Sequence, residues 1–158
     1  MGIVDEVESL RRVPLFAKIE PSKLKLLAFA SERVVFEAGQ ELFHQGDPAD
    51  AAYILLDGTA AVVVASPQGP LTVATMGKND FVGEIGVFCD IPRTATVVAT
   101  SRLVTLRISK ELFLQVIADF PAVALEVIRE LAHRLEHTTI ALREARAGLR
   151  RADPAAAP

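Results

Sequence analysis

The sequence predicts a mixed α+β fold: an antiparallel β jelly roll (a double-stranded β-helix) with helices before it and a long helix after it. Between residues 33 and 108, short runs rich in Val, Thr, Ile and Phe are separated by turn-forming stretches such as Asp57-Gly58. These turns recur roughly every 8 to 12 residues, a spacing typical of antiparallel sandwiches and jelly rolls. On either side of this region, apolar residues recur with helical spacing.

Length and composition favour one domain. The chain has 158 residues, of which 51% are hydrophobic, enough for one core but too few for two. We therefore expect a single domain over residues 1–150 and a disordered tail over residues 151–158. The single cysteine, Cys89, excludes an intramolecular disulfide, and the N-terminus has no signal-peptide pattern. No apolar run is long enough to cross a bilayer, so we expect a cytoplasmic protein without membrane insertion.

The N-terminal region, residues 3–32, is expected to form helix in two pieces. Pro21 stands where the first turn of a helix tolerates proline, and the apolar spacing of LKLLAFA follows it. The stretch VPLFAKIEP separates the two pieces. The strands of the roll then occupy residues 33–108.

The C-terminal region, residues 109–150, is expected to form two helices. Ser109 is a suitable N-cap for a short helix over residues 111–118, and Pro121 opens a longer one. Along the longer helix a heptad follows steps of three and four: Ile128, Leu131, Leu135, Thr138, Leu142, Ala145 and Leu149. This heptad predicts a homodimer paired through residues 121–150. The alternative is a single amphipathic helix that packs on its own sheet.

The stretch FVGEIGVFCDIPRTATVV, residues 81–98, interrupts the strand pattern with a cluster of functional residue types. Gly83 and Gly86 flank a possible helical turn whose backbone N–H groups could bind an anion. Arg93 can donate two N–H groups to a phosphate, and Glu84 can accept a hydrogen bond from a sugar hydroxyl. Together these residues favour a sugar phosphate as ligand. The alternative is an ion pair between Glu84 and Arg93 that merely closes a loop.

Four segments resemble those of cyclic nucleotide-binding domains: VPLF at 13–16, FHQGDPAD at 43–50, LLDG at 55–58 and the stretch at 81–98. That family includes bacterial catabolite-activator-type regulators, kinase regulatory subunits and cyclic nucleotide-gated channels. Residues 81–98 are similar to its phosphate-binding cassette, and we call them the cassette. The resemblance implies a 3′,5′-cyclic nucleotide as ligand, either cAMP or cGMP, with cAMP favoured.

The resemblance also implies a role for each cassette residue. Arg93 would neutralise the cyclic phosphate, and Glu84 would accept the ribose 2′-hydroxyl. The remaining contacts would come from the backbone at Gly83, Ile85 and Gly86 and from backbone or hydroxyl groups at Thr94 and Ala95. Gly86 departs from the Ala of many members, but its backbone N–H is retained, with some loss of rigidity.

Residues 131–142, LAHRLEHTTIAL, are similar to the helix from which catabolite-activator-type regulators present hydroxyl groups to the base. Thr138 and Thr139 fall on the matching turn, and Thr138 also lies on the heptad. The resemblance implies that these hydroxyls cap the ligand. The alternative is that each bonds its own helix backbone.

The expected output is signalling rather than catalysis. DNA-reading relatives carry a winged helix-turn-helix after the dimer helix, whereas eight residues follow Arg150 here, and the formal net charge is −3. We therefore expect a stand-alone sensor, not an enzyme and not a nucleic-acid binder, whose C-terminal helix moves on ligand binding and signals to an unknown protein partner. The alternatives are a degenerate scaffold that dimerises without binding nucleotide, and the regulatory fragment of a larger channel or enzyme.

Metal chemistry is not expected. A jelly-roll metalloenzyme of the cupin kind needs several histidines on its strands, and of His44, His133 and His137 only His44 lies in the β region. His133 and His137 are four residues apart, and we interpret them as a solvated helix pair.

Overall fold

A computed structural model describes residues 3–152, with side chains from residue 6 to residue 148 apart from that of Thr138. The expected mixed α+β fold is confirmed, because two antiparallel sheets of four strands carry helices at both ends. The N-terminal elements are α1 (Ile3–Arg12), a 3₁₀ turn (Pro14–Phe16) and α2 (Pro21–Ala30). The strands are β1 (Glu32–Phe36), β2 (Glu41–Phe43), β3 (Ala51–Asp57), β4 (Ala60–Val64), β5 (Leu71–Met76), β6 (Phe81–Val82), β7 (Thr96–Ala99) and β8 (Leu103–Ser109). The other helices are α3 (Glu84–Cys89), α4 (Lys110–Asp119) and α5 (Pro121–Ala152).

The two sheets have the strand orders β1-β8-β3-β6 and β2-β7-β4-β5, and all neighbours pair antiparallel. Strand β3 shows how the layers form, since successive side chains point to opposite faces of a sheet. Tyr53 and Leu55 pack in the core between the sheets. Ile54 and Leu56 pack in the core that the first sheet shares with the helices.

Three phenylalanines join the N-terminal turn to the C-terminal helices. The ring centroids of Phe16 and Phe81 are 5.4 Å apart, and those of Phe81 and Phe113 are 5.8 Å apart. Both separations lie in the range that favours aromatic pairs. Because Phe81 belongs to β6, the strand at the start of the cassette is held by packing from both ends of the chain.

The helices after the roll begin close to their predicted positions. The Ser109 hydroxyl accepts a hydrogen bond from the Leu112 N–H at 3.2 Å, so Ser109 caps α4 as expected. In α5, Val123 and Val127 are buried in the core, whereas Leu135 is 69% exposed. The first turns of α5 and Leu131 therefore pack on the domain's own core, whereas Leu135 and Leu142 of the predicted heptad are exposed.

The end of α5 differs slightly from the expected boundary. The helix runs through Ala152, two residues past the predicted limit at residue 150. Residues 153–158 of the expected disordered tail lie outside the described residues. Among the helices of residues 3–152, none is both long and apolar enough to cross a membrane.

Candidate functional site

The third residue of the cassette is a glycine that no other residue could replace without strain. Gly83 follows β6 with φ of 84°, in the left-handed region, and α3 starts at the next residue. A Cβ on Gly83 would lie 2.7 Å from Arg93 Nη1 and 3.1 Å from the Phe43 ring. The predicted turn of helix at Glu84 forms and continues to Cys89.

Gly86 is explained by a close approach rather than by flexibility. A Cβ at this position would lie 2.9 Å from Ala49 Cβ, a distance that real Cβ atoms do not show. The loop that contains Ala49 would have to shift to admit an alanine at this position. Gly86 therefore allows α3 to pack tightly on the 43–50 loop.

Arg93 is held inside the cassette with only 4% of its surface exposed. Its Nη1 donates to the Gly83 carbonyl at 2.9 Å, and its Nη2 donates to the Ala51 carbonyl. The guanidinium carbon lies 3.8 Å from the centroid of the Phe43 ring, close enough for a cation–π interaction. The buried Nε has no hydrogen-bond partner.

Charge and burial act in opposite directions on Arg93. Burial lowers the pKa of the guanidinium, and Asp50, whose Oδ1 lies 3.6 Å from Nη2, raises it. Asp50 is exposed, so it offsets the desolvation of Arg93 only in part. A buried guanidinium with an unpartnered N–H is suited to an anion brought by a ligand.

The backbone of Arg93 is fixed by the 43–50 loop. The Gly46 N–H donates to the Arg93 carbonyl at 2.9 Å, and the Arg93 N–H donates to the Asp47 carbonyl at 2.8 Å. The FHQGDPAD segment thus has a defined physical role, which is to position Arg93. Its sequence indicated the family but gave no sign of this contact.

Glu84 is buried, with 1% of its surface exposed, and it pairs with a residue of the last helix. Arg134 Nη2 lies 3.0 Å from Glu84 Oε1 and 2.6 Å from Glu130 Oε1. Burial and, after it, Glu130 raise the pKa of Glu84 to about 8, and Arg134 acts in the opposite direction. The pKa of this buried carboxyl group thus lies above its ordinary range even beside a guanidinium.

The loop is not organised by the Glu84–Arg93 ion pair that the sequence left open. Within the described residues, Glu84 pairs with Arg134 and Arg93 with Asp50. The two functional side chains therefore have separate charged partners. Both nevertheless line one cavity.

That cavity encloses about 510 Å³ including its open mouth. Its walls include all seven cassette residues predicted to contact a ligand: Gly83, Glu84, Ile85, Gly86, Arg93, Thr94 and Ala95. Four apolar side chains form another part of its wall: Phe43, Val62, Met76 and Val97. The cavity thus combines a buried cation, a buried carboxyl group and an apolar surface.

Among the described side chains, the α5 residue that lines the cavity is not one of the two that the sequence predicted. Arg134 lines the cavity, although the sequence presented it only as one charge in a mixed stretch. Thr139 is exposed, and its hydroxyl donates to the Leu135 carbonyl at 2.9 Å, as the backbone alternative had it. The side chain of Thr138 lies outside the described residues. Arg134 lies one helical turn before Thr138, and the resemblance at Thr138 was the signal in the sequence that pointed to this part of α5. Nothing in the sequence showed that the turn containing Arg134 lies over the cavity.

Metal binding is not indicated at this site. Among the residues that the structure describes, no three His, Cys, Asp or Glu side chains come together as a metal site. The groups that line the cavity are a buried guanidinium, a buried carboxyl group and apolar side chains.

Known proteins resemble this chain over most of its length. A CRP-like cAMP-activated global transcriptional regulator of Mycobacterium tuberculosis is 30% identical over 132 residues, which are 83% of this chain and 59% of the regulator. An uncharacterized NTE family protein of the same species is 34% identical over 134 residues, 85% of this chain but 22% of that protein. The chain thus spans less than two thirds of the first of these curated relatives and less than a quarter of the second.

Solved structures agree with the fold. The Catabolite Activator Protein of Thermus thermophilus superposes with a TM-score of 0.77 and 27% identity, over 84% of this chain and 62% of that one. The family profile described as the cyclic nucleotide-binding domain matches residues 33–120, which include the whole cassette. By this match, the chain belongs to the cyclic nucleotide-binding domain family.

Proposed function

We propose that the cavity binds a 3′,5′-cyclic nucleotide, with cAMP preferred over cGMP. The observation that carries the proposal is Arg93, a buried guanidinium that lines the cavity and has an unpartnered Nε. A cyclic phosphate next to this side chain would supply the missing acceptor and the missing negative charge. Gly83, Ile85, Gly86, Thr94 and Ala95, which line the same cavity, would add backbone and hydroxyl contacts.

Glu84 would bind the ribose. Its carboxyl group lies in the same cavity as Arg93 and is already oriented by Arg134. A 2′-hydroxyl can donate to the carboxyl oxygen that Arg134 leaves available. The ligand would then be bound at its phosphate by one buried side chain and at its sugar by another.

The base would be covered by α5 from two chains. Ile128, Leu135 and Leu142 are exposed along the predicted heptad, which supports a homodimer through residues 121–150. In such a dimer Thr138 and Thr139 would reach the base, and the Thr139 hydroxyl, which donates to the Leu135 carbonyl, could accept a hydrogen bond from the base at the same time.

The output would be regulatory. The family and the fold are those of regulatory domains rather than of catalytic ones. We infer that the chain acts in the cytoplasm as a non-enzymatic sensor, that the ligand shifts the position of α5, and that a protein partner binds one of the two positions. The ligand can change the equilibrium between the two positions of α5 by no more than the difference between its binding free energies to them.

One observation favours a second candidate, a scaffold that binds no nucleotide. Both terminal nitrogens of Arg93 already donate to carbonyls, and Glu84 already has a cationic partner. A cavity whose buried charged groups already have partners within the protein does not need a nucleotide, and the domain could then serve as a dimerisation scaffold alone. The regulatory part of a larger protein is the third alternative, and the short coverage of the relatives is compatible with it.

Calorimetric titration of the purified chain with cAMP and cGMP separately would distinguish these functions. We expect cAMP to bind with micromolar or lower Kd and Arg93→Ala to weaken binding about 100-fold. Arg102→Ala, which removes an exposed arginine outside the cassette, is the matched control. If folded, nucleotide-free protein gives no heat with either ligand, the scaffold is the better conclusion.

A further inference from the structure

Helix α2 has apolar side chains on two opposite faces. Leu24, Leu27 and Ala28 face inward and are buried in the core. With about 100° between successive residues, Leu26 and Phe29 lie on the opposite side of the helix and are neighbours there. They are 63% and 82% exposed. We call this pair the α2 crest.

Lysines flank the crest on both sides. Lys23 and Lys25 lie about a quarter turn to either side of it by the same helical spacing. Both are exposed, as is Lys18 just before the helix, and no ion pair found among the described residues involves any of the three. Residues 18–30 contain these three lysines and one glutamate, in a chain of net charge −3. The surface around the crest is therefore locally basic.

We propose that the α2 crest binds the surface of an anionic lipid bilayer, with Leu26 and Phe29 in the headgroup layer and the lysines at the level of the phosphates. Single exposed apolar side chains are ordinary, but two side by side between unpaired lysines fit a membrane interface. Lysine stems can lie along the apolar region while their ammonium groups contact phosphate. The contact is peripheral, because α2 is one face of a folded domain.

Charge excludes the simplest other occupant of the α2 crest, which is a second copy of this chain. In a symmetric dimer through α2, each crest would meet its own copy, and Lys23 and Lys25 would face the same lysines of the second chain. A protein groove would need both an apolar floor and acidic walls to receive this convex ridge. A bilayer with anionic headgroups offers both an apolar region and negative charge, and it needs no preformed shape to do so.

Co-sedimentation of the full chain with vesicles tests the proposal. We expect binding to vesicles of phosphatidylcholine with about 30% phosphatidylserine, little binding to phosphatidylcholine alone, and release at high salt. The double variant Leu26→Ser/Phe29→Ser should lower the vesicle partition coefficient about tenfold or more, and Lys23→Gln/Lys25→Gln should also lower it. Circular dichroism would establish that each variant is folded.

The matched control is Leu71→Ser/Val73→Ser. These two side chains are 54% and 53% exposed on β5, a strand without lysines. This variant should bind vesicles as the wild type does. The proposal is overturned if the wild type does not bind anionic vesicles at low salt, or if the β5 and crest variants lose binding equally. It is also overturned if the wild type self-associates through the crest in sedimentation velocity without lipid.

Discussion

Arg134 Nη2 and Glu84 Oε1 are 3.0 Å apart, so a single ion pair joins the last helix to the centre of the cassette. The same guanidinium contacts Glu130 on its own helix. A ligand that engages Glu84 therefore acts on a group already in contact with α5. The contact links a carboxyl group that lines the cavity directly to α5.

We predict that Arg134→Gln loosens α5 from the domain. Loss of the guanidinium leaves the buried Glu84 without its cation, and the helix loses a contact with the cassette. Amide hydrogen exchange over residues 127–134 should become about tenfold faster in the absence of ligand. Arg129→Gln is the matched control, because Arg129 pairs with Glu126 on its own helix. Equal exchange in the two variants would show that the interhelical contact does not hold α5.

A second prediction concerns pH. The pKa of Glu84 is raised in the fold to about 8 from an ordinary value of 4.5, mainly by burial. Between those values the folded protein binds more protons than the unfolded chain, so the free energy of unfolding should fall as pH rises from about 5 to 8. Urea denaturation across this range should show the decrease, and Glu84→Gln should flatten it.

The control for the pH experiment is His44. Its hydrogen bond to Glu41 raises the pKa of its imidazole, so its contribution is also lost as pH rises. His44→Asn removes that contribution while leaving Glu84 in place. An unchanged slope in Glu84→Gln, together with a flattened slope in His44→Asn, would assign the pH dependence to the histidine instead.

The two cassette glycines should respond differently to alanine. Gly83→Ala would force alanine into the left-handed region of φ and would place its Cβ 2.7 Å from Arg93 Nη1. It should therefore lower the free energy of unfolding by about 1–3 kcal/mol. Gly86→Ala clashes only with Ala49, so Ala49→Gly should restore its stability. Thermal unfolding would measure both effects. Gly77→Ala, with nothing within 4 Å of the new Cβ, should be close to neutral, and a similar loss there would contradict the steric explanation.

The heptad predicts the effect of a charge on the exposed side of α5. Leu135 is 69% exposed in the isolated chain, and Leu135→Glu should raise the dissociation constant of the proposed dimer at least about tenfold. Sedimentation equilibrium would measure it. Arg143→Glu, which lies off the heptad on the same helix, should have a much smaller effect. A wild type that is monomeric at all accessible concentrations would refute the dimer.

Much of the fold could be predicted because its signals are local. Alternating runs, turn residues and the cap at Ser109 each act within a few residues, and the strands and α4 appear close to where those signals placed them. Gly83 was likewise recognisable as a break in the strand pattern, and its φ is in the left-handed region, which glycine adopts most readily. The reason for Gly86 was not recognisable, because Ala49 is far from it in sequence.

The site was predicted less completely than the fold, for the same physical reason. Residues 83–95 form a continuous stretch, and all of the cassette residues proposed as ligand contacts line one cavity. Arg134 and Asp50 reach the two key side chains from distant segments, so no spacing within the cassette could reveal them. Thr139 was predicted from resemblance, and in the isolated chain its hydroxyl bonds to its own helix.

The phenylalanine contacts between the N-terminal turn, β6 and α4 define how small this domain can be made. The family match begins at residue 33, yet Phe16 packs on Phe81 from outside that segment, and Val123 and Val127 join the same core from beyond its end. A fragment cut at the borders of the match would expose the apolar side of β3 and β8 to water. The smallest autonomous folding unit therefore includes the flanking helices, and the cassette cavity cannot be isolated from the helices that complete its core.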